Sequence, residues 1–259
     1  MYGAEVAEIF ELVNRERGRD YRAEAAEVAR RVRAELPRAA SLLDVACGAG
    51  SHLRFLAESF DRVEGLEISE PMLERARALL PGVPLHQGDM RDFDLGRRFD
   101  AVVSMTGSVG YMSDPGELED LLRRFARHLA PGGVAVVDPW WFRERFLDGH
   151  VSADVVRAGG RTVARVSHSA LEGAASRVDV RYVVADPGSG VRSFAETHLI
   201  SLFTRRQYET AFDRAGFRTR YVEGVQSGRG LFVGVVRGAG GGPAPGRGPP
   251  PPRNRRGME

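Results

Sequence analysis

Apolar positions recur first with a helical spacing and then in short runs that alternate with it. Residues 4–13 and 20–35 carry their apolar side chains on one helical face and predict two amphipathic helices. "SLLDVA", residues 41–46, is an apolar run holding a single acid, the pattern of a strand buried on both faces. Residues 51–59 read as a helix and "RVEGLEI" as a second strand. "SEPMLERARALL" predicts a helix capped by Ser69, with Glu70 and Pro71 in its first turn. "VPLHQGD" and "FDAVVSM" predict a third and a fourth strand, "PGELEDLLRRFARHL" a helix ended by "PGG", and "VAVVDPWW" a fifth strand. Strands alternating with helices predict an α/β fold, a parallel sheet covered on both faces.

The period then changes. "RTVARVSHSA", "SRVDVRYVVAD" and "VRSFAETHLISLF" alternate with a period of two and are separated by Gly, Pro, Asp and Ser, as in an antiparallel meander. A helix, "TRRQYETAFDRAG", and two strands, "FRTRYVEG" and "GLFVGVV", complete the pattern. The organisation expected is one domain over residues 1–238, with the meander at about 150–203 inserted after the fifth strand. Residues 239–259 are rich in Gly, Pro and Arg without apolar patterning and are expected to be disordered.

Composition narrows the chemistry. A chain of 259 residues can bury a substantial core. No apolar run approaches the ~20 residues that span a bilayer, so no membrane partner is expected. The start of the chain lacks the basic and apolar parts of a secretory signal, which gives a cytoplasmic expectation. Cys47 is the single cysteine, so an intrachain disulfide is excluded. Every basic residue is arginine, which excludes a lysine Schiff base and a P-loop lysine. The pI of about 9.0 belongs to the tail: residues 239–259 carry a net +3 against +2 for the whole chain, leaving −1 on residues 1–238. Nucleic acid is therefore not an expected partner. The histidines lack metal-ligand spacing, so no metal is expected.

The glycine turn "LLDVACGAGSHL", residues 42–53, poses the cofactor question. The dinucleotide fingerprint is G-x-G-x-x-G, its third glycine permitting close packing beside a pyrophosphate. Here Gly48 and Gly50 are followed by Leu53 at the third place, and Asp44 precedes Gly48 by four positions. This D-x-x-x-G-x-G spacing favours S-adenosylmethionine over a nicotinamide dinucleotide. Glu67, 17 residues after Gly50, stands where an acid accepts from ribose hydroxyls in either case. Asp89 and Met90, after the third strand, suit an adenine amino group and the ring face. Ala46, Ile68, Arg91 and Met105 are neighbours expected on the same cofactor surface.

Taken together, "SLLDVACGAGSHL", "LHQGDMRDFDLGRRFDAVVSM", "PWWF", "RVSHS", "HLISLF" and "SGRGLFVG" make the chain similar to the N,N-dimethyltransferases that act on dTDP-3-amino deoxysugars of the desosamine and mycaminose type. The resemblance covers roughly residues 1–236. It implies a class I methyltransferase fold, a Rossmann-like seven-stranded sheet with an inserted antiparallel β lobe. It implies two successive methyl transfers from S-adenosylmethionine to the amine of a dTDP-amino sugar, in antibiotic sugar biosynthesis. By the same resemblance Phe10 and Tyr21 line the methionine end, Tyr2 faces the acceptor, and Tyr111 holds an aromatic or histidine position. Arg229 is matched to the nucleotide phosphates; Ser108, Trp140, Arg165, Ser167 and Ser227 complete the expected acceptor side. A homodimer is compatible with this reading.

The sequence departs from the family where Met105-Thr106-Gly107-Ser108 replaces Met-Phe-Ser-Ser and where Asp138 replaces Glu before "PWWF". The altered loop leaves a 4-amino sugar, a sugar hydroxyl or another small molecule as alternative acceptors. Methyl transfer needs an in-line lone pair more than a strong base. Tyr2 and Tyr111 are the candidate catalytic groups, expected to position the amine, because a phenol of pKa ~10 is a poor base at neutral pH. With lysine absent, arginine must meet the phosphates, and its planar fork suits them.

Overall fold

The computed structural model describes residues 3–225 and 228–237. Tyr2, Ser227 and the Gly/Pro/Arg-rich segment 239–259 therefore lie outside the described residues.

Two helices lead the chain, α1 (Ala4–Glu16) and α2 (Tyr21–Glu35), the second capped by the Asp20 carboxylate on Ala23 N–H. The main sheet is seven-stranded, in the order β10-β11-β5-β4-β1-β2-β3. Its members are β1 (Ser41–Val45), β2 (Arg62–Glu67), β3 (Leu85–Gln87), β4 (Phe99–Ser104), β5 (Leu129–Val137), β10 (Phe217–Val222) and β11 (Leu231–Val236). β1 to β5 pair in parallel, whereas β11 runs antiparallel to both β5 and β10. The strand order reverses at β1, which lies between β2 and β4. In open α/β sheets the crevice beyond the carboxyl ends at such a point is where ligands bind.

Helices α3 (Leu53–Leu56), α4 (Glu70–Leu79), α5 (Pro115–Arg127) and α6 (Arg205–Arg214) pack against this sheet. α5 shows why the apolar spacing folds as it does: Leu118, Leu121, Leu122 and Phe125 share its buried face, and Asp114 caps its first turn through Gly116 and Glu117 N–H. The expected Ser69 cap of α4 is present on Met72 N–H, and α6 carries a Thr204–Gln207 capping box.

The structure alters the expectation in three places. The helix expected at 51–59 is regular only over α3, because the bonds Phe55 N–H to His52 O and Ser59 N–H to Leu56 O tighten its ends. "PGG" lies inside β5, where a register shift opposite β4 and a positive φ of 75° at Gly132 absorb it. The meander has four strands, β6 (His150–Ala158), β7 (Arg161–Glu172), β8 (Ala175–Asp186) and β9 (Gly190–Ser201), in sequential antiparallel order. β6 escaped the pattern because its alternation is inverted: Val151 and Val155 face outward while Ser152 lines the cavity beneath the lobe. The inner face of the lobe carries Val156, Val163, Val178, Val180 and Val184, which pack against Val6, Ile9 and Val13 of α1.

Candidate functional site

A cavity of about 880 Å³ opens between the carboxyl ends of β1, β2 and β4, the helix α1 and the inner face of the lobe. Its floor follows from the backbone after β1. Ala46 has φ 63°, Gly48 φ 58° and Gly50 φ 80°, so the chain turns sharply with almost no side chain on the turn. A Cβ added at Gly48 would meet nothing within 4 Å, which leaves bare backbone facing the cavity.

Gly50 is different. It lies off the cavity lining, and a Cβ there would stand 2.9 Å from Leu80 Cδ1 and 3.4 Å from Ala76 Cβ. The missing Cβ at Gly50 thus allows the turn to pack on α4. Close packing under the turn is provided on β2 instead, where a Cβ on Gly65 would lie 2.7 Å from Cys47 Sγ and 3.0 Å from Leu53 Cδ2. Leu53 fits where a third glycine would otherwise sit because β2 supplies the glycine.

Glu67 holds the turn in place. Its Oε2 accepts from Gly48 N–H at 2.9 Å, and its Oε1 accepts from Ile68 and Ser69 N–H at 3.0 and 2.9 Å. Asp44 is only 1% exposed, and its Oδ1 is buried without a hydrogen-bond partner. Burial, and then the nearby Glu67 charge, push its carboxyl up to about 8. Beside the Glu67 charge, which disfavours a pyrophosphate, stands a carboxyl with an open oxygen. It fits a ligand with cationic and N–H groups, which S-adenosylmethionine has in its ammonium and sulfonium.

The other expected cofactor residues line the same space: Phe10, Tyr21, Ala46, Ile68, Asp89, Met90, Arg91 and Met105. Tyr21 is 5% exposed, and burial pushes its phenol up to about 12, so it acts as a neutral wall. Asp89 accepts from Arg91 N–H at 2.8 Å, and Arg91 reaches on to Glu117 at 2.7 Å and to the Tyr111 carbonyl at 2.7 Å. Beside the turn runs a buried polar chain that sequence reasoning missed. Arg19 donates to Glu24 at 2.8 Å, and Glu24 lies 2.6 Å from His52 Nε2. His52 in turn stands edge-on to Tyr21. His52 is held below its ordinary pKa, mainly by burial.

The acceptor side draws on more distant segments. Ser108, Tyr111, Trp140, Arg165, Ser167 and Arg229 all line the cavity. Ser108 Oγ donates to the Met105 carbonyl at 2.9 Å, and Arg165 donates to Ser167 Oγ at 3.0 Å. Trp140 donates from its indole to Ser176 Oγ at 3.1 Å. It stands against Gly107 and Gly110, where an added Cβ would approach its atoms to 2.8 and 2.9 Å. Trp141 is 37% exposed at the cavity mouth, so both tryptophans of "PWWF" line the cavity. Arg229 does not stand free for a phosphate: its guanidinium makes a two-pronged bond to Asp138, at 2.9 and 3.3 Å, and lies over Trp140. His168 of "RVSHS" faces outward, paired in register with Asp179 and outside the cavity lining. His128 donates to the Arg124 carbonyl and accepts from Leu95 N–H at 3.0 Å, so it ties a loop to the α5 end.

Sheet order, glycine turn and paired strand-end acids define a class I S-adenosylmethionine-dependent methyltransferase, and residues 42–133 match the family model "Methyltransferase domain". The chain is 58% identical over 235 residues to the dTDP-3-amino-3,4,6-trideoxy-alpha-D-glucopyranose N,N-dimethyltransferase of Streptomyces venezuelae, covering 91% of this chain and 99% of that one. It is 54% identical to the dTDP-3-amino-3,6-dideoxy-alpha-D-glucopyranose N,N-dimethyltransferase of Streptomyces fradiae, covering 90% and 92% of the two chains. Against the dTDP-4-amino-2,3,4,6-tetradeoxy-D-glucose N,N-dimethyltransferase of Saccharopolyspora spinosa it is 48% identical, covering 91% and 94%. Among solved structures, Streptomyces venezuelae DesVI superposes with a TM-score of 0.87 at 57% identity, covering 91% of this chain and 100% of that one. S-adenosylmethionine-bound CalS10 from Micromonospora echinaspora superposes with 0.81 at 49% identity, covering 88% and 96%. The chain belongs to the dTDP-amino-deoxysugar N,N-dimethyltransferase family; it is an N-methyltransferase with S-adenosylmethionine as cofactor.

Proposed function

We propose that this enzyme places two methyl groups on the amino nitrogen of a dTDP-amino-deoxysugar, a 3-amino sugar in preference to a 4-amino one, in the making of macrolide-type antibiotic sugars. The observation that carries the reading is similarity along nearly the whole chain to enzymes named for this reaction, the two named for 3-amino sugars at 58% and 54% and the one named for a 4-amino sugar at 48%. The cytoplasm is its proposed location; no helix among the described residues is long and apolar enough to cross a membrane. The outer lobe face, with Val151, Val155, Val166, Val183, Val191 and Leu199 exposed, suits a homodimer.

On this reading Asp44, Glu67, Gly48 and Asp89 hold S-adenosylmethionine, with Phe10 and Tyr21 closing over it. The cofactor supplies an activated methyl group on a sulfonium. The protein's own task is to exclude water and to present the amine in line. Tyr111 and Trp140 position the sugar, and Arg165 with Ser167 offers N–H and O–H groups to the nucleotide. Arg229 serves the nucleotide from its place over the tryptophans while Asp138 fixes its orientation. The test is a competition between dTDP-3-amino and dTDP-4-amino sugars with limiting enzyme. Faster dimethylation of the 3-amino sugar is expected; preference for the 4-amino sugar overturns the finer assignment.

A further inference from the structure

Behind Tyr111 the lobe carries two titratable side chains that the cofactor surface does not use. His198 and Glu196 lie two residues apart on β9, so both point to the inner face of the lobe. The Tyr111 hydroxyl is 2.9 Å from His198 Nδ1. His198 Nε2 is 3.3 Å from Glu196 Oε2, an ion-pair distance, and that buried oxygen has no hydrogen-bond partner among the described residues, which leaves it open to an Nε2–H turned toward it. Tyr111 and His198 line the cavity; Glu196 is outside its lining. The three groups thus form a line leading away from the acceptor side of the cavity. Among the described residues, the other titratable groups on that wall include His150 from β6, Arg165 from β7, Tyr182 from β8 and Arg17 just past α1, while Arg91 bonds the Tyr111 carbonyl.

We propose that Tyr111, His198 and Glu196 form a proton relay in which His198, acting through Tyr111, takes the proton that methylation leaves on the acceptor nitrogen. The inference rests on the proposed amine acceptor. The amine lone pair forms the new nitrogen–carbon bond as the methyl carbon–sulfur bond breaks, its electrons remaining on sulfur. The nitrogen becomes a methylammonium. Its proton passes to Tyr111 Oη while the Oη–H proton passes to His198 Nδ1. The phenol is neutral before and after, and the new imidazolium directs its Nε2–H at the Glu196 carboxylate. This answers the objection that a phenol of pKa ~10 is a poor base, since no phenolate forms. It also matters for the second transfer, which needs a free lone pair. A relay inside the cavity deprotonates the monomethyl intermediate without releasing it.

The test compares wild type with His198→Asn, Glu196→Gln and Tyr111→Phe, reading product distribution and pH profile in the same assay. Asn keeps an acceptor near the Tyr111 hydroxyl but cannot take up a proton. His198→Asn is expected to bind S-adenosylmethionine as wild type does, which reports an intact fold. It should lose roughly 100-fold or more in methyl transfer at neutral pH, the usual scale of general-base catalysis. It should release monomethyl product and recover rate as pH rises. Glu196→Gln should do the same to a smaller degree, and Tyr111→Phe should match His198→Asn. Wild-type product ratio and pH profile in His198→Asn overturn the relay. Nitrogen-15 NMR of the free protein tests it apart from substrate: the relay needs a proton on Nε2 and none on Nδ1 of His198 at neutral pH, and the opposite tautomer overturns it. Should wild type methylate no dTDP-amino sugar, the function assignment fails, while the tautomer still decides the relay.

Discussion

Glu67 on the cofactor wall is held by three backbone N–H groups, whereas Arg229 on the acceptor wall is held through the side chain of Asp138. The same contrast runs through the whole cavity. The cofactor wall is made of strand ends and a bare turn, so its donors belong to the backbone and any sequence that folds this way supplies them. The acceptor wall is made of side chains that bond one another: Arg165 with Ser167, Trp140 with Ser176, Tyr111 with His198. Such pairs can be changed one at a time. A fold of this design keeps its methyl donor while its acceptor varies.

The largest expected effect breaks a pair on the acceptor wall. Arg229→Ala takes from Asp138, which is 0% exposed, its two-pronged partner and leaves only the Thr106 N–H at 2.9 Å and Arg19 at 3.8 Å, and should cost about 3 kcal/mol of stability in chemical denaturation. Removing Asp138 as well, with Arg229→Ala and Asp138→Ala combined, should restore part of that loss. A loss below ~1 kcal/mol would mean that the pair behaves as a surface ion pair and that the two walls are not so different.

Next comes Glu67→Gln. It weakens charge-assisted bonds to the turn worth about 1.5–3 kcal/mol each, so cofactor affinity by calorimetry should fall ~10- to 100-fold. The KM for the acceptor should move far less. Equal losses of both would erase the division of labour.

A pH dependence comes third. Asp44, raised to about 8 in the ligand-free fold against ~3.9 unfolded, binds its proton more tightly folded than unfolded. Its contribution to stability is therefore full below its unfolded value and is lost as pH rises through about 8. A cationic cofactor favours the carboxylate, so its affinity should rise with pH up to that value and binding near pH 7 should release a proton. Calorimetry in two buffers of different ionisation heat reads the release; Asp44→Asn should abolish it. The smallest effect is expected from Thr106→Gly. Thr106 has φ 67°, a left-handed conformation that costs a β-branched residue about 1–2 kcal/mol, so the variant should melt slightly higher. A lower melting temperature would show that the Thr106 side chain contributes contacts exceeding the strain.

What was legible in the sequence follows the same division. The cofactor wall is written in local spacing: Asp44 and Gly48 lie in one turn, and Glu67 and Asp89 each end a strand that the apolar pattern marks. Even there, Gly50 and Gly65 could not be told apart, because the packing of one on α4 and of the other under Cys47 and Leu53 exists only in the assembled sheet. The acceptor wall is written in contacts between distant segments. Tyr111 meets His198 across 87 positions, and Arg229 meets Asp138 across 91. β6 and His198 share one reason for not being read: Ser152 of β6 and His198 of β9 turn inward to line the cavity while Val151, Val155 and Leu199 face outward, a local inversion of the alternation by which strands are read.

On the proposed function the cavity joins a methyl donor to an amino sugar and completes two transfers. Mass spectrometry of the product formed from purified protein, S-adenosylmethionine and a dTDP-3-amino-deoxysugar tests it most directly. The predicted result is a product carrying two new methyl groups, both on the amino nitrogen. No transfer to the sugar, or a methyl group found on oxygen, would contradict it.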